Sequence, residues 1–300
     1  LSSAGLLNLL AADYERQHMK LKIAAVAFSL VGVGSAQAFQ FPIFGNFSPN
    51  FAQSQEFSRD FDFRGIVGIS NCSGSIVRFD DSKPTDRAMV LSNGHCVGLL
   101  KPGVVVKNQA SRKTFSVLGQ DTKKLGTVYA EKILYATMTR TDASLFLLKE
   151  TFQDIENKFG VNALTLSREA PSAGTNIEVL SGYWKRGYAC QIETYVHKLQ
   201  EGEWTFVDSL RYSRPGCETI GGTSGSPVIE AGTRTVIAVN NTGSESGKLC
   251  EVNNPCEIAE DGTRFAKKGY SYAQQTYWFY SCRNADGALD LNAPGCQLPK

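Results

Sequence analysis

"CETIGGTSGSP", residues 217–227, sets Ser224 in a glycine turn with a proline soon after. Glycines around a serine let backbone N–H groups turn toward an oxygen that gains negative charge during acyl transfer. Here those donors would be the amides of Gly222 and Ser224. A serine hydroxyl is a weak nucleophile until a neighbouring base takes its proton, so the stretch calls for a histidine and a carboxylate elsewhere. "AMVLSNGHC" (88–96) ends an apolar run in His95 and Cys96, and in "TDASLFLLK" (141–149) Asp142 enters an apolar run. Histidine suits the base because it titrates near neutral pH. A carboxylate would hold its ring in one tautomer and stabilise the imidazolium. Ser226 is a rival nucleophile, disfavoured by Pro227 directly after it. Asp121 is a rival acid but lacks a following apolar strand, and His197, beside a polar turn, reads as a surface strand residue.

From Gly65 onward the chain is a series of short runs rich in Val, Ile, Thr, Tyr and Phe. They include "GIVGIS", "SIVRF", "AMVLS", "TFSVLG" and "SLFLLK", then "NIEVLSGY", "CQIETYVHKL", "TFVDSLRY" and "RTVIAVN". Turns such as 101–103 and 201–203 separate them, a spacing that predicts an all-β sandwich or barrel rather than βαβ units. A helical turn or two is expected near 153–159. "YAQQTYWFY" (272–280) reads equally as an aromatic strand or a short terminal helix.

The order His95, Asp142, Ser224 and the motifs around these residues resemble the chymotrypsin-like (trypsin-like) serine proteases. "NGHC" resembles the family's Ala-Ala-His-Cys, and "TDASLFLL" its aspartate followed by a hydrophobic strand. "CETIGGTSGSP" is similar to the bacterial secreted branch of glutamyl-endopeptidase-like and trypsin-like peptidases, which favours Cys-acidic-Thr, a glycine turn and Ser-Gly-Ser-Pro. The resemblance spans 65–245 and implies an all-β fold of two perpendicular six-stranded barrels with the site in the cleft between them. It implies an exported serine endopeptidase that works through an acyl-enzyme. Ser224 would be the nucleophile, His95 the base and then the acid, and Asp142 the residue that orients His95. It also implies a bridge Cys72–Cys96 holding the histidine loop. Glu218 lies six residues before Ser224, where trypsin-type enzymes place the base of the primary pocket. A carboxylate there would favour Lys or Arg in the substrate; the other reading has Glu218 replace the branch's usual acid and point away. "AVNNTG" (238–243) should edge the pocket. Asn240 and Asn241 stand where glutamyl-specific relatives carry a histidine, which disfavours that specificity.

One departure concerns activation. In digestive members an aspartate precedes the serine and receives a new N-terminus released by cleavage; here the residue is Thr223. "RGIVGIS" (64–70) looks like such an N-terminus, but Ile66 lies only six residues before Cys72, so Ile66 and Val67 read as a strand. The site is therefore expected to work without that ion pair. The competing function is a non-catalytic binding module that keeps the fold and acts through its Phe-rich arm or Cys-rich tail.

The chain has 300 residues, 42% hydrophobic and 20% charged, with net charge +2, so electrostatics give no reason to expect nucleic acid or an anionic membrane as partner. A basic "MKLK" (19–22), an apolar stretch (23–34) and "SAQA" (35–38) read as a signal peptide cleaved after Ala38. Residues 1–18 then form an upstream extension and 39–64 a Phe-rich pro-segment or arm. Residues 65–160 form the first barrel, 161–245 the core of the second, and 246–300 a Cys-rich tail completing it. A secreted or periplasmic monomer acting on proteins or peptides is expected, with no membrane contact after signal removal. The eight cysteines argue for disulfides in an exported chain, though sequence alone allows about 105 pairings. Cys190–Cys217 would tie a strand to the nucleophile loop, while Cys250–Cys256 and Cys282–Cys296 rest on proximity. With no C-x-x-C and only His95 and His197 after export, no metal or cofactor is expected.

Overall fold

The computed structural model describes residues 60–300; the expected extension, signal peptide and residues 39–59 of the arm lie outside the described residues. The β-rich runs of the first half form β1 (Ile66–Gly68), β2 (Ser73–Arg78), β3 (Arg87–Ser92), β4 (Val105–Ala110), β5 (Thr114–Leu118), β6 (Lys124–Thr137) and β7 (Ala143–Thr151). Six of these pair in the order β1-β5-β6-β7-β3-β2, and β2 pairs back onto β1, which closes a barrel; β4 adds to β6 alone. Next comes α1 (Phe152–Phe159), where a helical turn was expected. Thr151 and Asp154 form a reciprocal capping box at its start, and Gly160 ends it at φ 64°.

The second half holds β8 (Leu164–Leu166), β9 (Asn176–Ser181), β10 (Arg186–Glu201), β11 (Trp204–Tyr212), β12 (Pro227–Glu230), β13 (Thr235–Gly243), β14 (Cys256–Ile258), β15 (Arg264–Phe265), β16 (Ser271–Gln275) and α2 (Trp278–Ser281). The order β13-β12-β9-β10-β11-β16 closes through β16–β13 into a second six-stranded barrel. β8 runs parallel to both β2 and β13 and joins the two barrels into one sheet. The ambiguous 272–280 stretch resolves into both of its readings, strand β16 followed by helix α2. Among the described residues no helix is long and apolar enough to cross a membrane.

Strand alternation decides where the core sits. On β3, Ala88 and Val90 fill the first barrel, while Met89 and Leu91 face a second core. β7 repeats the pattern, with Phe146 and Leu148 inside and Leu145 on the other face. On β9, Ile177 and Val179 fill the second barrel and Leu180 turns to the shared core. Both faces of these strands are thus buried, which is why they read as near-continuous apolar runs. The C-terminal segment seals the shared core. Trp278 and Phe279 enter it, the Phe279 ring meets Tyr135 edge-on at 6.0 Å, and the Tyr135 hydroxyl donates to the Pro299 carbonyl at 3.2 Å.

Four disulfides staple the body: Cys72–Cys96, Cys190–Cys217, Cys250–Cys256 and Cys282–Cys296. Each contributes roughly 2–4 kcal/mol. The last pins the segment that follows α2.

Phe279 is fully buried and belongs to the second half of the chain, yet packs on the first barrel's Tyr135. Phe279→Ala should therefore lower stability by about 3–5 kcal/mol, read as a fall in denaturation midpoint. A midpoint within a degree of the parent would show that the C-terminal segment does not anchor the shared core.

Candidate active site

The residues singled out in the sequence lie at strand ends. β3 stops at Ser92 and a tight turn carries Asn93, Gly94, His95 and Cys96. A Cβ on Gly94 would sit 2.0 Å from the Thr137 carbonyl oxygen, so only glycine fits where the resemblance has alanine. β3 and β7 pair Ser92 with Ser144, which brings that turn against Asp142 at the head of β7. Asp142 is buried. One carboxylate oxygen accepts the His95 backbone N–H at 3.0 Å, and the other lies 2.6 Å from His95 Nδ1. Asn93 Nδ2 donates to the Asp142 carbonyl at 2.8 Å and Ser144 Oγ to the Asn93 carbonyl at 2.8 Å, which closes the turn over the acid. Cys96, bonded to Cys72, ties the same turn to the start of β2. Cys72, His95 and Cys96 bring three donor atoms within 4.8 Å, but both sulfurs are consumed in the disulfide and offer no thiolate to a metal.

Ser224 sits in the turn that enters β12. Gly225 takes φ 80°, and a Cβ there would meet the Ser73 carbonyl oxygen at 2.2 Å, so no other residue fits after the serine. The Ser224 carbonyl accepts the Ser73 N–H at 2.7 Å. Its hydroxyl donates to the Asn241 carbonyl at 3.3 Å, and among the described residues no hydrogen bond joins it to His95. Of the loop amides, Thr223 N–H donates to the Ile220 carbonyl at 3.0 Å, whereas those of Gly222 and Ser224 donate to no backbone carbonyl. Thr223 is fully buried and its hydroxyl has no partner among the described residues. Ile66 lies within β1, with its amide donating to the Phe63 carbonyl at 3.0 Å.

One cavity is lined by His95, Asp142, Ser224, Asn240 and Asn241, together with Glu201. Glu218 does not line it. Its carboxylate is held outside by Arg214 Nε at 3.1 Å and the Gly216 N–H at 2.9 Å, against a separate surface depression with Lys267 and Tyr270. The reading of Glu218 as the base of a substrate pocket is thus corrected: an arginine four residues earlier already neutralises it, and these contacts hold its pKa down against burial, which raises it. Asn240 is buried, with Oδ1 accepting from Tyr212 at 3.2 Å, while the buried Asn241 Nδ2 has no partner among the described residues. Ser226 is buried, Asp121 pairs with Lys123 at the surface, His197 is exposed, and none of the three lines the cavity.

Glu201 begins the 201–203 stretch expected as a turn. In the structure it ends β10 inside the cavity, with one oxygen accepting the Asn253 N–H at 2.7 Å. Asn253 lies within the loop closed by Cys250–Cys256. Burial raises the Glu201 carboxyl above its ordinary pKa, and this outweighs the hydrogen bonds that oppose it. Glu245 also lines the cavity and no Lys or Arg does, so its charged walls are acidic apart from His95. Burial disfavours the charged His95 ring, but the charge and hydrogen bond of Asp142, helped by the charge of Glu201 and opposed by Lys113, hold its pKa above the ordinary histidine value.

The family model described as trypsin-like peptidase domain matches residues 72–239. No curated protein matches the chain. Among solved structures, a Nocardiopsis protease is 14% identical, covering 72% of this chain and 92% of its own at a TM-score of 0.41. The MamO protease domain from Magnetospirillum magneticum is 12% identical, covering 71% and 92% at 0.42. A chymotrypsin from Cellulomonas bogoriensis is 15% identical, covering 72% and 91% at 0.39.

The charges facing His95 can be tested by titration. Its ring resonances, followed by NMR, should report a pKa above the ordinary histidine value. Glu201→Gln removes an anion that favours the imidazolium and should move that pKa down. An unchanged or higher value in the variant would show that Glu201 does not act on His95.

Proposed function

We propose, from the premise that the chain belongs to the trypsin-like peptidase family, that it is an exported serine endopeptidase. The observation that carries this reading is the His95–Asp142 pair at 2.6 Å, which opens on the same cavity as Ser224. In the proposed reaction Ser224 Oγ rotates away from the long bond to Asn241, passes its proton to His95 Nε2 and attacks the scissile carbonyl carbon. Asp142 stabilises the resulting imidazolium. The amides of Gly222 and Ser224, which donate to no backbone carbonyl, receive the oxyanion. Collapse of the tetrahedral adduct breaks the C–N bond, and His95 gives its proton to the departing amine. Water, deprotonated by His95, then hydrolyses the acyl-enzyme, releasing a carboxylate and restoring Ser224. Export is supported by the four disulfides, which suit an oxidising compartment.

A basic side chain in the cleft is the favoured substrate feature, by a different route from the one the sequence offered. With Glu218 neutralised outside, the candidates are Glu201 and Glu245, the acids of a cavity wall free of Lys and Arg. A substrate cation would relieve the cost of the desolvated Glu201 carboxylate.

Ser224→Ala should cut peptide hydrolysis by about 10⁶-fold with the fold intact by circular dichroism, and a fluorophosphonate should label the parent but not the variant. An unlabelled, inactive parent would instead favour the non-catalytic binding module. In a peptide library, Lys or Arg should be preferred at one position of the cleft, and Glu201→Gln should reduce that preference by about tenfold or more. A preference that survives the substitution would remove Glu201 from substrate recognition.

A further inference from the structure

The loop that precedes Ser224 holds a turn whose central peptide has two standard orientations. Residues 220–223 form a β-turn closed by Thr223 N–H to the Ile220 carbonyl at 3.0 Å, with φ 88° at Gly222. A positive φ at the third residue is the type II form; type I is reached by turning over the central peptide, Gly221–Gly222, with the flanking residues nearly in place. In a planar trans peptide the C=O and the following N–H point to opposite sides. The direction of the Gly221 carbonyl therefore sets the direction of the Gly222 N–H. Turning that peptide over would replace a donor by a carbonyl oxygen on the side where a donor is wanted.

The Gly221 carbonyl is held. Trp184 Nε1 donates to it at 2.6 Å from the turn between β9 and β10. Backbone, ring and the adjoining glycine all fit this placement. The Trp184 backbone N–H donates to Ser181 Oγ at 3.2 Å, its ring meets Tyr183 edge-on at 4.9 Å, and the space a Gly222 Cβ would need is filled by Tyr183 and by Trp184 Nε1 at 2.7 and 2.9 Å. The next carbonyl, Gly222, accepts from Ser73 Oγ at 3.1 Å. Gly221 lines the cavity and Trp184 does not, so the Gly221 oxygen is taken by a donor from outside the cavity wall. The residue that in digestive relatives would carry an acid is Thr223, buried with its hydroxyl unpartnered, and it contributes no ion pair to this loop.

We infer that Trp184 is the positioning residue of the oxyanion site: its indole N–H holds the Gly221–Gly222 peptide in the type II form and so keeps the Gly222 N–H directed at the reacting carbonyl. The inference rests on the peptidase reading of the preceding section. It concerns geometry that matters only when the oxyanion forms, so its loss belongs in kcat rather than in substrate binding.

Two replacements isolate the N–H. Trp184→Phe keeps an aromatic ring at a site that is 47% exposed and removes the donor. Benzothienylalanine at position 184 keeps the bicyclic shape and lacks only the N–H. Both should lower kcat by about 3- to 10-fold, as loss of one neutral hydrogen bond allows and less than outright removal of an oxyanion donor, with KM within about threefold. A peptide boronate, which forms the tetrahedral adduct, should lose affinity in parallel with kcat, while a product peptide should bind as before. Thermal midpoints should stay near the parent's, which a structural role would not allow. If the parent hydrolyses peptides and takes up fluorophosphonate but both variants keep its kcat and boronate affinity, the inference is overturned and the peptidase reading stands. If the parent does neither, the peptidase reading fails, and the inference fails with it. Equal losses in product affinity and in stability would also overturn it, since the indole would then be packing rather than positioning.

Discussion

The Ser73 N–H donates to the Ser224 carbonyl at 2.7 Å, and this bond joins the two halves of the site. Ser73 opens β2 in the first barrel, directly after Cys72, whose disulfide holds the His95 turn. Ser224 leads into β12 of the second barrel. Every other polar atom of Ser73 is also committed. Its carbonyl accepts from Ser92 Oγ at 2.8 Å, and its hydroxyl contacts the Gly222 carbonyl, Ser181 Oγ and the Tyr183 N–H, each at 3.1 Å. A buried residue with every group satisfied has no alternative place to go. The requirement for glycine at position 225 follows from the same contact, because any side chain there would push Ser73 out.

The electrostatics are built around this junction. Asp142 is buried with both oxygens directed at His95, one to the backbone and one to the ring. The charged form of His95 is disfavoured by burial and rescued by its neighbours, so the ring is basic because the acids are close, not because water is. Glu201 adds to that field from the end of β10, on a wall whose shape depends on the loop closed by Cys250–Cys256. The field on His95 and the proposed attraction for a basic side chain thus share Glu201, and a substrate cation that neutralises Glu201 would also reduce its pull on His95.

Much of the fold was legible because its determinants are local. Alternation on β3, β7 and β9 follows from burial on both faces, and the motifs at His95, Asp142 and Ser224 each span about eleven residues or fewer. What could not be read is long-range. Trp184 meets Gly221 across 37 residues, Ser73 meets Gly222 across 149, and Glu201 meets Asn253 across 52. Trp184, Ser73 and Glu201 belong to no pattern, and each acquires its role from a partner that only the barrel topology brings near. Glu218 fails in the opposite sense. Its place before Ser224 is suggestive, but Arg214, only four residues away, takes the carboxylate first. The 272–280 stretch stayed ambiguous because strand and helix each account for half of it: β16 needs a pairing partner in β13, and α2 needs the shared core.

The way the Ser224 loop is held bears on how the proposed activity can be controlled. Breaking a buried ion pair by removing one partner costs about 3–5 kcal/mol, which makes a new chain terminus a decisive switch in enzymes that use one. Here Thr223 offers no charge, and Ile66 is bonded within a continuous strand. The loop is held instead by neutral hydrogen bonds from Trp184 and Ser73, each worth about 0.5–1.5 kcal/mol, and by the steric fit of Gly222 beneath Tyr183. No one of these is large enough to act as a switch, and none depends on cutting the chain. A loop so held is preformed as soon as the barrels close. Restraint of the proposed activity would then have to act on access to the cleft, by occupying the cavity that His95, Ser224 and Glu201 share, rather than on the geometry of the nucleophile loop.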